Sequence, residues 1–199
     1  GEPIKVERKL PNEPISVVSN YFEEKLAVAI PLFSFGIKMP IDGLESLKTK
    51  IADSIIADCV MGKSSKLYNR LLEKGFINKN LECDFMHGPG YKLFVFTGES
   101  REAKKVVEEI KSEILTLQEK GIKKEDYERI LKMHYGRAIM DYNDIEGLGN
   151  DMVSCYFNGD RLYDELKIYK KLTLGFVNKE LRNIDVYNSA LSVVSEVEM

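Results

Sequence analysis

Histidine is the scarcest residue in this chain that could bind a catalytic metal, since only His87 and His134 are present. A catalytic zinc ion needs three protein ligands and, for hydrolysis, a base beside its bound water. Neither zinc signature, H-E-x-x-H or H-x-x-E-H, occurs, because His134 is followed by Tyr135-Gly136-Arg137 and His87 by Gly88-Pro89-Gly90. The sequence therefore predicts no zinc site within this chain.

The two histidines have different expected environments. His134 falls on the apolar face of a predicted helix, where a hydrogen-bonded core histidine is the common outcome. His87 falls in a glycine-rich stretch that we interpret as a loop, where it could contact a ligand. An ordinary surface histidine explains His87 more readily, so it is an outside candidate for binding.

Other catalytic patterns are also missing from the sequence. Ser64 and Ser65 precede a predicted helix but lack the second glycine of G-x-S-x-G, and helix capping explains them. The glycine pairs at 88/90 and 147/149 do not follow a strand and open a helix, as a phosphate-binding loop would. We therefore predict no catalytic residue in this chain.

Composition limits the classes of partner. Lys and Arg number 29 against 32 Asp and Glu, a net charge of -3, which disfavours nucleic acid and anionic membranes. No apolar run approaches the roughly 20 residues of a membrane span, and residues 1–3 do not resemble a signal peptide. The three cysteines fall in apolar stretches without C-x-x-C spacing. We expect reduced core thiols and a cytoplasmic protein.

Apolar periodicity predicts the elements that would position any site. Alternation predicts strands near 15–18, 26–30 and 33–37, a hairpin over 81–97 that turns at Gly88-Pro89-Gly90, and a strand at 190–194. Helical spacing and capping residues predict seven helices. These run from an Asp42/Glu45 capping box to Gly62, from Ser64 or Ser65 to Gly75, from a Ser100 cap to Gly121, and over 124–142, 145–159, 162–169 and 173–181.

The order of these elements indicates a fold class. Strands come first, a long block of helices follows, and a last strand returns. This order favours an α+β fold whose mixed, mainly antiparallel sheet is covered on one face by helices. We interpret residues 1–14, which are rich in proline, as a linker and residues 15–199 as a single domain.

The segment from Gly62 to Ile77, GKSSKLYNRLLEKGFI, resembles the C-terminal half of pitrilysin/insulysin-family zinc peptidases, especially the bacterial branch that is similar to mitochondrial processing peptidase. Further segments resemble the same family in the same order along nearly the whole chain. They are Glu13-Pro14, Pro31 to Lys38, Gly88 to Tyr91, Thr97 to Glu99, Tyr135 to Arg137, and Ser189 to Val194.

The resemblance implies a fold and a role. In this family two homologous halves enclose an unfolded peptide, and only the N-terminal type of half carries zinc. The implied fold is one half of a mitochondrial processing peptidase, or of a LuxS-type metallohydrolase, with the sheet facing the chamber. The implied function is that of the non-catalytic half of a zinc metalloendopeptidase, inactive alone, with zinc in the partner half.

The resemblance departs from the family at one place that matters for mechanism. Many members carry an Arg and a nearby Tyr that reach the scissile peptide and stabilise the developing oxyanion. At these positions this sequence has Leu72 and, for the tyrosine, Asn78 or Lys79. Either Arg70 and Tyr91 replace the pair, or this half contributes shape and binding alone. A surface arginine whose stem covers Leu67 explains Arg70 equally well.

Two further readings stay open. The chain could be a non-enzymatic scaffold or peptide-binding subunit of the same fold, which an upstream zinc-bearing half would decide. Isolated copies could also pair as homodimers through the apolar surface that the missing half would cover. If the chain is the non-catalytic half of a peptidase, we expect extended peptides to bind by strand addition and by pockets of the chamber.

Overall fold

The computed structural model describes residues 13–39, 41 and 46–197. The described chain forms one five-stranded sheet and seven helices. The strands are β1 (Tyr21–Leu26), β2 (Leu32–Met39), β3 (Glu82–Gly88), β4 (Tyr91–Glu99) and β5 (Ser189–Glu196). The helices are α1 (Leu47–Met61), α2 (Lys66–Glu73), α3 (Ala103–Lys120), α4 (Lys124–Asp141), α5 (Ile145–Asn158), α6 (Asp164–Lys171) and α7 (Leu174–Arg182).

The strands lie in the order β1-β5-β2-β4-β3. Only β1 and β5 run parallel, and the other neighbours are antiparallel. The last strand of the chain is therefore inserted between the first two, which ties the end of the domain into its beginning. The predicted α+β class with a mixed, mainly antiparallel sheet is confirmed.

The core lies between one face of the sheet and the helices. Along β2 the buried residues alternate with exposed or half-buried ones, and Phe35 faces Phe96 of β4 and Leu191 of β5 on the buried side. Helix α1 lies in the middle of the helical layer, in contact with α2, α3, α4, α6 and α7. The opposite face of the sheet has no covering layer of helices in the described chain.

The first strands differ from those predicted. Residues 15–18 form no strand, because Val17 donates its backbone N–H to the Asn188 side chain, which in turn donates to the carbonyl of Ile15. Residues 27–30 are also outside the sheet, since the chain turns where Val28 donates to the carbonyl of Leu26. The strand that forms is β1, whose residues are all exposed and therefore lack a clear apolar alternation.

Helix starts agree with the sequence where a hydroxyl precedes the apolar period. Ser65 and Thr173 cap α2 and α7 by accepting from Tyr68 N–H and Phe176 N–H. Ser100 was predicted to cap α3 but does not. It accepts from Glu102 N–H and donates to the Phe76 carbonyl, so α3 begins three residues after Ser100, at Ala103. The predicted Asp42/Glu45 capping box lies outside the described residues, as do residues 1–12 of the predicted linker, and Ser46 caps α1.

Candidate functional site

The open face of the sheet is a surface that the described fold leaves uncovered and available for a ligand. Because side chains alternate along a strand, the partners of the buried residues point to this face. Its centre carries small side chains, with Ser192, Ser34 and Thr97 aligned across β5, β2 and β4. Beside this row, Ala190 and Val95 flank Gly36, above which a Cβ atom would meet nothing within 4 Å. The centre of the face is therefore low and unobstructed.

Larger apolar and acidic side chains surround this low centre. A shallow depression of about 460 Å³ lies between Leu32, Val194 and the central row, and extends to Glu82 and Glu99. The remaining exposed apolar side chains of this face belong to β1, β3 and β4. They are Phe22, Leu26, Met86 and Tyr91. Such a surface can bury an extended apolar segment without demanding a particular side chain.

The three residues proposed for substrate binding do not lie together. Tyr91 begins β4 on the open face, with its ring over Gly88 at the hairpin turn. Arg70 lies on α2 in the helical layer, where its guanidinium is 3.0 Å from a Glu109 carboxylate oxygen and 3.3 Å from one of Glu113. Arg70 and Tyr91 are thus on different sides of the sheet, and their role in binding stays a prediction.

His87 is not in a loop as predicted, because β3 continues through it to Gly88. Residues 83, 85 and 87 share the helix-covered side of this strand, so the imidazole turns inward and stacks near Phe85. Its Nε2 lies 3.5 Å from Oδ2 of Asp53 on α1. The sequence pattern Gly-Pro-Gly predicted the turn correctly but placed it one residue too early.

A buried ion pair next to His87 is the main feature that sequence reasoning missed. Lys92 of β4 and Asp53 of α1 are 3% and 1% exposed, and Lys92 Nζ lies 2.8 Å from Asp53 Oδ2. The ammonium also lies 5.3 Å from the centre of the Phe85 ring. A signal was available, because Lys92 has the same strand parity as the buried Phe94 and Phe96. The pair fastens the hairpin to α1 and so fixes the position of the open face.

His134 is a hydrogen-bonded histidine of the helical layer, as predicted. Its Nε2 lies 2.7 Å from Oδ2 of Asp58, which joins α4 to α1. The position that corresponds to the family arginine, Leu72, packs against the core, and Asn78 donates to the Glu99 carboxylate. Neither residue reproduces the charge of the family pair.

The three cysteines are free, and Cys59 and Cys83 pack against the core as predicted. Cys155 was wrongly predicted to be a core thiol, because no residue of α5 is buried. Burial raises the pKa of the Cys59 thiol on α1 to about 12 and holds the pKa of Cys83 well above its ordinary value. Cys155 is half-buried on α5, where desolvation and the carboxylates of Asp160 and Asp151 raise its pKa. These thiols are weak nucleophiles, since the thiolate is the reactive form.

The described residues contain neither a cluster of metal ligands nor a helix that could cross a membrane. No group of three or more His, Cys, Asp and Glu side chains there could hold a metal ion. None of the described helices combines the length and the apolar character needed to cross a bilayer.

Comparison with known proteins identifies the family. The model of the peptidase M16 inactive domain matches residues 5–133. The chain therefore belongs to the peptidase M16 inactive-domain family. It is 28% identical, over 132 residues, to the uncharacterized zinc protease YmfH of Bacillus subtilis strain 168, a match that covers 66% of this chain and 31% of that protein.

Solved structures show the same fold. An M16-like peptidase from Alicyclobacillus acidocaldarius aligns with a TM-score of 0.87 at 21% identity, covering 94% of this chain and 46% of that one. The inactive peptidase domain of a zinc protease from Bordetella parapertussis aligns with a TM-score of 0.71 at 17% identity, covering 88% and 96%. The chain thus spans about a third of YmfH and about half of the Alicyclobacillus chain.

Proposed function

We propose that this chain is the non-catalytic half of a zinc metalloendopeptidase and forms one wall of the chamber that holds an unfolded peptide. Membership of the inactive-domain family and the likeness to a zinc protease support this proposal. In this arrangement the zinc-bearing half supplies the metal and the base that activates water. The present half binds and orients the peptide and excludes bulk water from it.

The open face of the sheet is the observation that carries the proposal. Its low centre around Gly36 and Ser34 leaves room for a peptide backbone, and its apolar margin offers hydrophobic contact in any register. Folded proteins would be excluded by size, because an extended segment alone can lie along such a surface. We therefore expect selection by extendedness more than by sequence, and inactivity of the chain alone.

A reducing, cytoplasmic location is a further part of the proposal. It is supported by three free cysteines, none of which has a partner for a disulfide. The proposal includes neither a nucleic-acid partner nor a membrane partner, in line with the net charge of -3.

Filling the low centre tests whether peptide lies there. In the protein assembled with its zinc-bearing half, Ser34→Trp should raise the KM for an unstructured peptide by about tenfold or more, with a smaller change in kcat. Ser112→Trp, on the exposed surface of α3, is the matched control and should leave KM unchanged. Equal KM values for both variants would remove the open face from the path of the substrate.

The same assay addresses the second candidate, a non-enzymatic scaffold or peptide-binding subunit. This reading gains weight if the assembled wild-type protein binds an unstructured peptide but does not hydrolyse it. Ser34→Trp would then weaken peptide binding while Ser112→Trp would not.

A further inference from the structure

Helix α5 carries an apolar surface that the described domain does not use. None of its residues is buried, and only Gly147, Leu148 and Cys155 are half-buried. On a helical projection Leu148, Met152, Ile145, Tyr156, Gly149 and Val153 form one apolar stripe, and Phe157 lies at its edge beyond Glu146. The side chains of Asn150, Ser154, Asn158 and Asp151 occupy the other side. An amphipathic helix normally directs such a stripe to the core, and here it points outward.

The size of this surface fits a stable interface. Ile145, Tyr156 and Phe157 are 86%, 81% and 79% exposed. Further large apolar side chains on α5, at the end of α4 and in the segment before α6 are exposed as well. They are Ile139, Met140, Met152, Val153 and Tyr163. If a fully exposed large side chain offers about 200 Å², these eight expose on the order of 1,000 Å². A monomer's largest apolar patch is about 300–600 Å², and one side of a standard interface buries about 800 Å².

The charges around this surface indicate the chemistry of its partner. Residues 138–160 contain five acidic residues and no Lys or Arg, and the exposed Arg137 and Arg161 adjoin this stretch at its two ends. The acidic residues are Asp141, Asp144, Glu146, Asp151 and Asp160. Several lie close in space, since Asp151 and Asp141 both help burial to raise the pKa of the Glu165 carboxyl on α6. A partner that presents an apolar centre with Lys or Arg at its margin would be complementary.

A second copy of this chain does not offer that complement. Two α5 surfaces in contact would bring their acidic margins together, which like-charge repulsion disfavours. The open sheet face of another copy is also acidic at its margin, with Glu24, Glu82, Asp84 and Glu99 against Lys38. An anionic membrane is disfavoured for the same reason, because the polar side of α5 carries no basic residue.

We infer that the α5 stripe and the adjoining end of α4 form the surface that docks the zinc-bearing half, and that the docked surface of that half is apolar with a basic margin. This inference rests on the proposed function. The length of related chains supports it, because this chain covers only 46% and 48% of two single chains with the same fold. A permanent half-to-half contact is of the apolar kind that α5 presents.

Association of this chain with a separately produced zinc-bearing half tests the inference. Solved chains of nearly the same extent, covered to 94% and 96%, indicate that a domain of this size can be produced alone. The combined change Tyr156→Ser and Phe157→Ser should weaken association by about 30-fold or more, as expected for central aromatic residues of an interface. Tyr187→Ser with Val18→Ser, at exposed residues (76% and 99%) outside both α5 and the open sheet face, is the matched control and should leave association unchanged.

A charge reversal separates docking by complementarity from unspecific apolar contact. Asp151→Lys should weaken association about tenfold at low salt and less at high salt, because exposed charges are screened. Glu119→Lys, an exposed position on α3 with the same change in net charge, should leave it unchanged. An equal effect of both reversals would overturn the inferred basic margin.

The outcomes distinguish the inference from the function on which it rests. If wild-type chain and zinc-bearing half do not associate at all, the proposed function fails. If they associate and the Tyr156/Phe157 variant binds as tightly as wild type, the docking surface is wrong while the function stands. If the variant instead abolishes a dimer of the chain alone, the occupant is a second copy and the inference is overturned.

Discussion

Helices α1 and α5 differ in how much of their surface the domain buries, although the sequence predicts both from the same apolar spacing. Eight residues of α1 are buried, including Asp53, whereas no residue of α5 is buried. Periodicity reports that a helix has an apolar face, but it does not report whether the same chain covers that face. An apolar helix left uncovered in one domain therefore indicates where another domain belongs.

The largest expected difference between the two helices is the unfolding free energy that is lost when an aspartate is replaced. Asp53→Ala on α1 leaves the ammonium of Lys92 buried without its carboxylate and should cost about 4 kcal/mol of unfolding free energy. Asp151→Ala on α5 should change it by less than about 0.5 kcal/mol. Urea unfolding of both variants measures the contrast. A loss below about 1 kcal/mol for Asp53→Ala would mean that the ion pair does not hold the hairpin to α1.

Isoleucine gives the next contrast. Ile55 of α1 is fully buried, so Ile55→Ala should cost about 3 kcal/mol through lost transfer energy and the cavity it leaves. Ile145→Ala on α5 should leave the stability of the isolated chain within about 0.5 kcal/mol of wild type. Similar losses for both would place α5 in the core of the chain alone and contradict the comparison.

The cysteines of the two helices should differ in reactivity. At pH 8 a thiol-modifying reagent should label Cys155 of α5 at least about tenfold faster than Cys59 of α1, whose burial raises its pKa to about 12. Single-cysteine variants and mass spectrometry measure each rate. Because deprotonation of Cys59 is so unfavourable in the folded protein, its labelling should stay slow until pH approaches that value. Faster labelling of Cys59 would indicate that α1 opens readily.

Arg70 provides the smallest expected effect. Its pairs with Glu109 and Glu113 are partly solvated, so Arg70→Ala should cost less than about 1 kcal/mol. The pKa of Glu109 is lowered first by its hydrogen bond with Lys74 and then by Arg70, so Lys74 remains as a partner when Arg70 is removed. A large loss of peptide hydrolysis by the assembled variant at unchanged stability would restore Arg70 as a binding residue.

The helices and the hairpin were predictable from the sequence because their buried residues recur at the spacing of a helix or a strand. The sequence-based prediction was wrong where side-chain hydrogen bonds decide the local structure. Asn188 holds residues 15–17 outside the sheet, and Ser100 forms a turn before α3. Strand β1 was not predicted, because all of its residues are exposed and show no clear apolar alternation. The hairpin turn begins one residue later than predicted, so His87 belongs to β3. Because successive strand residues face opposite sides of a sheet, this difference of one residue decides that His87 points inward.

The candidate site was predictable only in outline. The resemblance pointed to a sheet that faces a chamber, but the row of small side chains at Ser34, Thr97 and Ser192 depends on the insertion of β5 between β1 and β2. That insertion joins residues more than 150 positions apart, and no local pattern encodes it. The Asp53–Lys92 pair is long-range in the same way, although the parity of Lys92 hinted at burial.

The most direct test of the account is zinc content and hydrolysis of an unstructured peptide, measured on this chain alone, on the zinc-bearing half alone and on their mixture. The account predicts that the chain alone neither retains zinc nor cleaves peptide, and that chelator-sensitive hydrolysis rises when the two halves are combined. Chelator-sensitive cleavage by this chain alone would contradict its non-catalytic role. No cleavage in the mixture would contradict its part in a peptidase and favour the scaffold.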